Sequence, residues 1–293
     1  METRDRREPS SFRDPSGFLF RQDGVLYRRV NASYRDAYDR LVGSGLHATL
    51  VADGLMIPHE EVHLAGTVSR DAYRVLRPEA IPFVSYPYEW CFHELKNAAL
   101  ATLEIQKRAL EQDLCLKDAS AYNIQFRHGQ PVLIDTLSFD LYREGEPWVA
   151  YRQFCQHFLG PLALMRHSTS GSNRLMQLFV DGVPLEVTHT ILPLRTRFAL
   201  GLLLHLHLHA KSQKRFADQT VRPSGRRMSR FAMRGLVDSL TAVVEGLQWK
   251  HPGTEWGNYQ EAPSYSSAAL VGKKVLMDSF LDEVKPGTVW DLG

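Results

Sequence analysis

The residues best suited to chemistry lie in one stretch, "LKDASAYNIQFRHGQPVLIDTLSFD", residues Leu116 to Asp140. Asp118 stands five positions ahead of Asn123, and Asp135 closes the apolar run "PVLI". A phosphoryl-transfer site needs such groups. One carboxylate orients the attacking hydroxyl, while an amide and a second carboxylate hold magnesium, because the protein there mainly positions groups and balances charge. Asp118 fits the first role, Asn123 and Asp135 fit the metal roles, and Mg-ATP would be the cofactor. The same residues also suit a structural part. Asp118 would cap a turn, Asn123 would take a left-handed or side-chain-bonded position, and Asp135 would end a strand before a turn.

Other candidates are weaker on their geometry. His205, His207 and His209 alternate in "LLLHLHLHAK"; on a strand they share a face suited to zinc or nickel, but on a helix only His205 and His209 align. The helical context favours a structural part for them. Cys155 and His157 are two residues apart, so on a helix they point in different directions and make a poor nucleophilic pair. The basic run from Lys211 to Arg230, including Lys214, Arg215, Arg222, Arg226 and Arg227, suits phosphate, an anionic glycan or a lipid headgroup, or else a solvated loop. The five tryptophans are scattered and read as core or contact residues.

Whole-chain properties exclude several classes. The 293 residues carry a net charge of +2, too small for an obligate nucleic-acid or anionic-membrane partner. Three cysteines without CxxC spacing indicate neither a disulfide scaffold nor a structural zinc site, and fit a reducing cytoplasm. The most apolar stretch, "FALGLLLHLHLHA", is shorter than the ~20 residues a spanning helix needs, so no membrane insertion is expected. The first 16 residues are charged, lack the apolar centre of a signal peptide and read as a flexible leader.

The elements that must position the motif can be read from periodicity and turn chemistry. "GFLFRQDGVLYRRV" is a strand pair around Asp23-Gly24. A helix follows from a capping Asn31 and breaks near Gly43 and Gly45. "AYRVLRPEAIPFVSYPYEW" reads as strand and then a stiff proline-rich connection. Next, "CFHELKNAALATLEIQKRALEQDL" predicts a long helix with a buried stripe of Leu95, Ala98, Ala99, Thr102, Ile105 and Leu110. Three further helical stretches follow the motif, ending with "RTRFALGLLLHLHLHAKSQKRFA"; "FAMRGLVDSLTAVVEGL" is a later one. The chain closes on helix "SSAALVGKKVLMDSFLDEV", turn "KPG" and strand "TVWDLG".

This order, with D-x-x-x-x-N and a following aspartate, resembles the protein-kinase-like and aminoglycoside-phosphotransferase-like folds over roughly Gly17 to Leu208. The departures are specific. No G-x-G-x-x-G loop is present, Arg28 and Arg29 stand where a phosphate-pairing lysine is expected, and no glutamate partner sits in the first helix. Leu116 and Lys117 replace the usual histidine and arginine, and Thr136-Leu137 replaces Phe-Gly. A repurposed cleft is the expectation.

A second resemblance spans nearly the whole chain. "SFRDPSGFLF", "IPFVSYPYEW", "LKDASAYNIQF", "LIDTLSF" and "PWVAYRQFCQHFL" are similar to the N-terminal region of bacterial SAM-dependent methyltransferases, and "VWDLG" looks like the first strand of their class I cofactor domain. The resemblance implies S-adenosylmethionine as cofactor of the full-length protein, with Asp291 and Gly293 as part of its binding motif and the rest of that domain beyond Gly293. The expected fold class is α+β: a two-lobed kinase-like fold, β-rich then helical, followed by the truncated start of a Rossmann-like domain. Its boundaries are a leader at 1–16, a small lobe at 17–90, a helical lobe at 91–248 and the methyltransferase start at 249–293. An unidentified small molecule or glycan is the expected substrate; a Mg-ATP phosphotransferase and a noncatalytic recognition module are the alternatives.

Overall fold

The computed structural model describes residues 6–9, 11, 14–64, 71–168, 171–208, 227–250 and 266–290. The chain divides into two compact units, Met1–Trp249 and Lys250–Gly293.

The first unit has a β-rich N-terminal lobe and a helical lobe. Among the described residues, β1 (Arg6–Arg7), β2 (Gly17–Gln22), β3 (Val25–Asn31), β4 (His59–Glu61) and β5 (Ala72–Pro78) form one antiparallel sheet in the order β1-β2-β3-β5-β4. The β2–β3 turn uses Asp23 and Gly24, both at positive φ, as an Asp-Gly hairpin requires. Gly17 begins β2 where only hydrogen fits: a Cβ there would lie 2.0 Å from the Arg29 carbonyl oxygen. The leader expected over 1–16 thus contributes structure, since β1 pairs with Phe20 and Arg21.

Helices α1 (Arg35–Gly43) and α2 (Leu46–Ala52) are separated at Gly45, φ 78°. Asn31 makes no side-chain cap; its amide donates to the Pro15 carbonyl at 2.8 Å, which pins the segment before β2. The long helix α3 (Phe92–Glu111) starts with a capping box in which Glu94 accepts from the Cys91 amide at 2.7 Å. Its predicted stripe is buried throughout and forms the centre of the main core.

Beyond α3, β6 (Leu114–Leu116) pairs with β9 (Phe139–Leu141), and β7 (Ile124–Arg127) with β8 (Gln130–Leu133). β8 also reaches the small lobe: the Ile57 amide donates to the Leu133 carbonyl and the Leu133 amide to the Leu55 carbonyl, both at 2.9 Å. Helices α4 (Tyr151–Phe154) and α5 (Gly160–His167) are joined by a π-turn, Cys155–Leu159. Pro161 supplies no backbone N–H, and the ladder loosens just ahead of it.

The helix expected around the alternating histidines is instead short α-helices and irregular turns. After α6 (Leu175–Leu178) and α7 (Leu185–Ile191) come a 3-10 turn, a single turn α8 (Leu200–Leu202) and a π-turn, Leu203–Leu208. The wider turn buries both His205 and His207, in separate contacts: His205 with Tyr151 at 2.8 Å and Ser239 at 3.0 Å, His207 with His189 at 2.7 Å and Thr196 at 2.9 Å. His209 and the basic residues Lys211 to Arg226 lie outside the described residues. Helix α9 (Arg230–Gly246) closes the unit against α3.

In the second unit, α10 (Ser267–Val284) ends at a left-handed Lys285. The strand expected from Thr288 does not form over Thr288–Trp290, where no strand among the described residues takes up its backbone hydrogen bonds. Asp291 and Gly293 lie outside the described residues. Among the described residues no helix is long and apolar enough to cross a membrane.

Candidate functional site

The motif residues gather at a cleft of about 920 Å³ between the two lobes, lined by Asp118, Asn123 and Asp135 together with Asp14, Arg28 and Lys117. Each is placed by its own element. Arg28 lies on β3 in register with Leu76 and on the same face as the fully buried Val30, whereas Arg29 turns to the other face and stacks over Phe18. Lys117 and Asp118 follow β6, and Asp135 follows β8 by two residues.

Asp118 is held by its loop. One oxygen, Oδ1, accepts from the Ser120 amide at 2.9 Å and from Gln153 Nε2 at 2.8 Å, and Gln153 Oε1 accepts from the Ala119 amide at 2.7 Å. Gln153, on α4, clamps the turn from the helical lobe. Asn123 ends a short 3-10 turn and donates to Ser138 Oγ at 3.3 Å.

Asp135 is the most heavily engaged residue of the cleft. Oδ1 accepts from the Arg28 guanidinium at 2.6 Å and from the Leu137 amide at 3.3 Å; Oδ2 accepts from Ser138 Oγ at 2.9 Å. The side chains of Arg28 and Asp135 are only 13% and 18% exposed, so their charges offset each other with little help from water. Ser138, fully buried, joins Asn123 to Asp135. A magnesium ion needs carboxylate oxygens free to enter its octahedron, and a cation in place of a metal already holds Asp135. The residues therefore do not fit a bound magnesium in this arrangement.

Around this pair, Lys117 Nζ donates to Ser16 Oγ at 2.6 Å and lies 4.7 Å from the centre of the Tyr34 ring. Tyr34 donates its hydroxyl to the Phe139 carbonyl at 2.7 Å, and burial with Asp135 nearby raises its pKa well above the ordinary tyrosine value. His59, also lining the cleft, is pushed down to about 4 by burial and by His47, so it is a neutral group at pH 7. The charged lining is two cations against three carboxylates. Cys155 and His157 form no site: both are buried, the Cys155 thiol is pushed up to about 12 by burial, and His157 packs edge-on against Tyr122. Among the described residues no group of three or more metal-type ligands occurs.

The spacing brought Asp118, Asn123 and Asp135 to one cleft as expected. It did not reveal Asp14, Lys117 and Gln153. The alternation of β3 against Val30 was the available signal for choosing Arg28 over Arg29.

No family model matches the chain. It is 32% identical over 295 residues to the nodulation protein NoeA of Rhizobium meliloti (strain 1021), an alignment covering 98% of this chain and 61% of that protein. The chain thus spans about three fifths of the length of the curated relative it matches. Among solved structures it is similar to vaccinia related kinase 3, with a TM-score of 0.36 and 15% identity over 84% of this chain and 82% of the other. At that score the likeness carries no conclusion about fold or chemistry.

Proposed function

We propose that the first unit is a protein-kinase-like module that recognises a ligand rather than transferring a phosphoryl group, and that it handles substrate for a SAM-dependent methyltransferase. The observation that carries this is the Arg28–Asp135 contact at 2.6 Å, with Ser138 Oγ on the other carboxylate oxygen at 2.9 Å. Three donors on one carboxylate favour a fixed recognition wall over an open metal site. The substrate class is a small molecule or glycan, and a part in nodulation is carried over from the relative's name.

Methyl transfer rests on the resemblance of "VWDLG" and the preceding helix to the start of a class I cofactor domain, with S-adenosylmethionine as the cofactor which that resemblance implies. One observation supports it: α10 buries none of its residues while carrying Val275, Leu276 and Phe280, as a helix of a layered sheet would.

A Mg-ATP phosphotransferase, with Asp118 as hydroxyl-orienting base, is the competing reading, favoured by the convergence of Asp118, Asn123 and Asp135 on one cleft. Calorimetric titration of ATP with and without magnesium into the wild type and Asp135→Ala separates the two. The proposal expects equal binding, or none, in both proteins; magnesium-dependent binding that Asp135→Ala loses would establish the phosphotransferase instead.

A further inference from the structure

We propose that Arg28 and Lys117 form a subsite for a tetrahedral oxyanion, a phosphate group above all, and that Asp14 of this same chain occupies it as an exchangeable stand-in. The inference rests on the reading of the cleft as a metal-free recognition site and names the chemistry it would bind.

The distances around Arg28 are of two kinds. Asp135 is hydrogen-bonded to it at 2.6 Å, whereas Asp14 Oδ2 lies 3.6 Å away, beyond hydrogen-bonding reach. Lys117 repeats the pattern: Ser16 Oγ is at 2.6 Å and Asp14 Oδ1 at 3.6 Å. One carboxylate therefore bridges two cations while hydrogen-bonding to neither. Its bond from the Ser16 amide, at 2.8 Å, belongs to its own turn.

Arg28 also keeps an unused donor. Its Nε is buried and has no hydrogen-bond partner, so a guanidinium built for forked recognition of oxyanions works with part of its fork idle. A carboxylate spends one oxygen on each cation and has none left for Nε. A phosphate group has further oxygens at tetrahedral angles, and the cleft has room for the molecule that carries it.

Asp14 is placed to give way. Its side chain is 30% exposed, more than Asp135 at 18%. The backbone that follows it is fixed to β3, with Asn31 donating its side-chain amide to the Pro15 carbonyl and its backbone amide to the Ser16 carbonyl, both at 2.8 Å. Exchange then needs rotation of one side chain and no movement of the strand.

Asp14→Asn tests this, because asparagine keeps a side-chain oxygen for the Ser16 amide and removes the charge. Inorganic phosphate is titrated calorimetrically with EDTA and no nucleotide. Removing the competing carboxylate is expected to tighten phosphate binding about tenfold relative to wild type. Adding Lys117→Met should abolish the gain, and Lys117→Arg, which keeps the charge and remains informative if the methionine variant does not fold, should retain it. A parallel titration of glucose 1-phosphate identifies the source: tighter binding than phosphate marks an ester ligand, equal binding a free anion. Identical phosphate affinity in wild type and Asp14→Asn, or a gain that survives Lys117→Met, overturns the proposal. Because no metal or nucleotide is present, that failure would leave the reading of Asp135 standing. Magnesium-dependent nucleotide binding would remove that reading separately.

Discussion

Removing either member of the Arg28–Asp135 pair strands its partner in a site that is mostly dry. With side-chain exposures of 13% and 18% the pair is short of full burial, and a loss of about 1–3 kcal/mol is expected for Arg28→Met or Asp135→Asn alone, below the range for fully buried pairs. The double variant should lose less than the sum of the two, a coupling that urea unfolding of the four proteins measures; strict additivity would mean the contact contributes nothing. His157 is almost fully buried and its pKa is pushed down to about 4 by burial, so the unfolded chain takes up a proton near the ordinary value of ~6.5 while the folded chain refuses it. Its contribution is intact above about pH 6.5 and shrinks as pH falls towards 4, by up to about 3 kcal/mol. Thermal melts across that window should show a shallower slope for His157→Gln. That Asp118, Asn123 and Asp135 share one cleft was legible because they lie close together in the chain. Arg28 as the partner of Asp135 was not, since 107 positions separate them and tertiary folding alone brings them together.

At the level of elements, legibility followed regularity. The stripe of α3 was readable because a twenty-residue helix repeats its period many times, and Leu95→Ala, at a fully buried position, should cost about 2–5 kcal/mol. The hairpin turn at Asp23-Gly24 was readable from turn chemistry. Gly17→Ala should destabilise by about 1–3 kcal/mol, since a methyl group there meets the Arg29 backbone rather than a yielding side chain; circular-dichroism melting checks it, and an unchanged midpoint would show that the strand can shift. Two elements were not legible. The histidine stretch has the leucine content of a helix, but π-turn geometry replaces the 3.6-residue period, so the face assigned to His205 and His209 has no counterpart in the described residues. Thr288–Trp290 differ for another reason: an apolar run becomes a strand only where another strand meets it.

For the molecule as a whole, the two units behave differently as packed objects. The first has a continuous core running from Leu41 to Leu247, while α10 of the second buries none of its residues. Val275→Lys or Leu276→Lys should therefore leave the melting midpoint of this chain unchanged, and a fall of several degrees would show that α10 is packed after all. Calorimetry with S-adenosylmethionine should show no saturable binding to this chain, because the one helix among the described residues of the second unit does not make a doubly wound sheet; micromolar binding would contradict that. Whether the cleft presents a metal site is asked directly by Mn2+ titration followed by the electron paramagnetic resonance of the free ion, with and without ATP. With Arg28 on Asp135, wild type and Asp135→Asn should leave the same free Mn2+ signal at every point. A saturable site in the wild type that Asp135→Asn loses would show that Asp135 holds a metal after all.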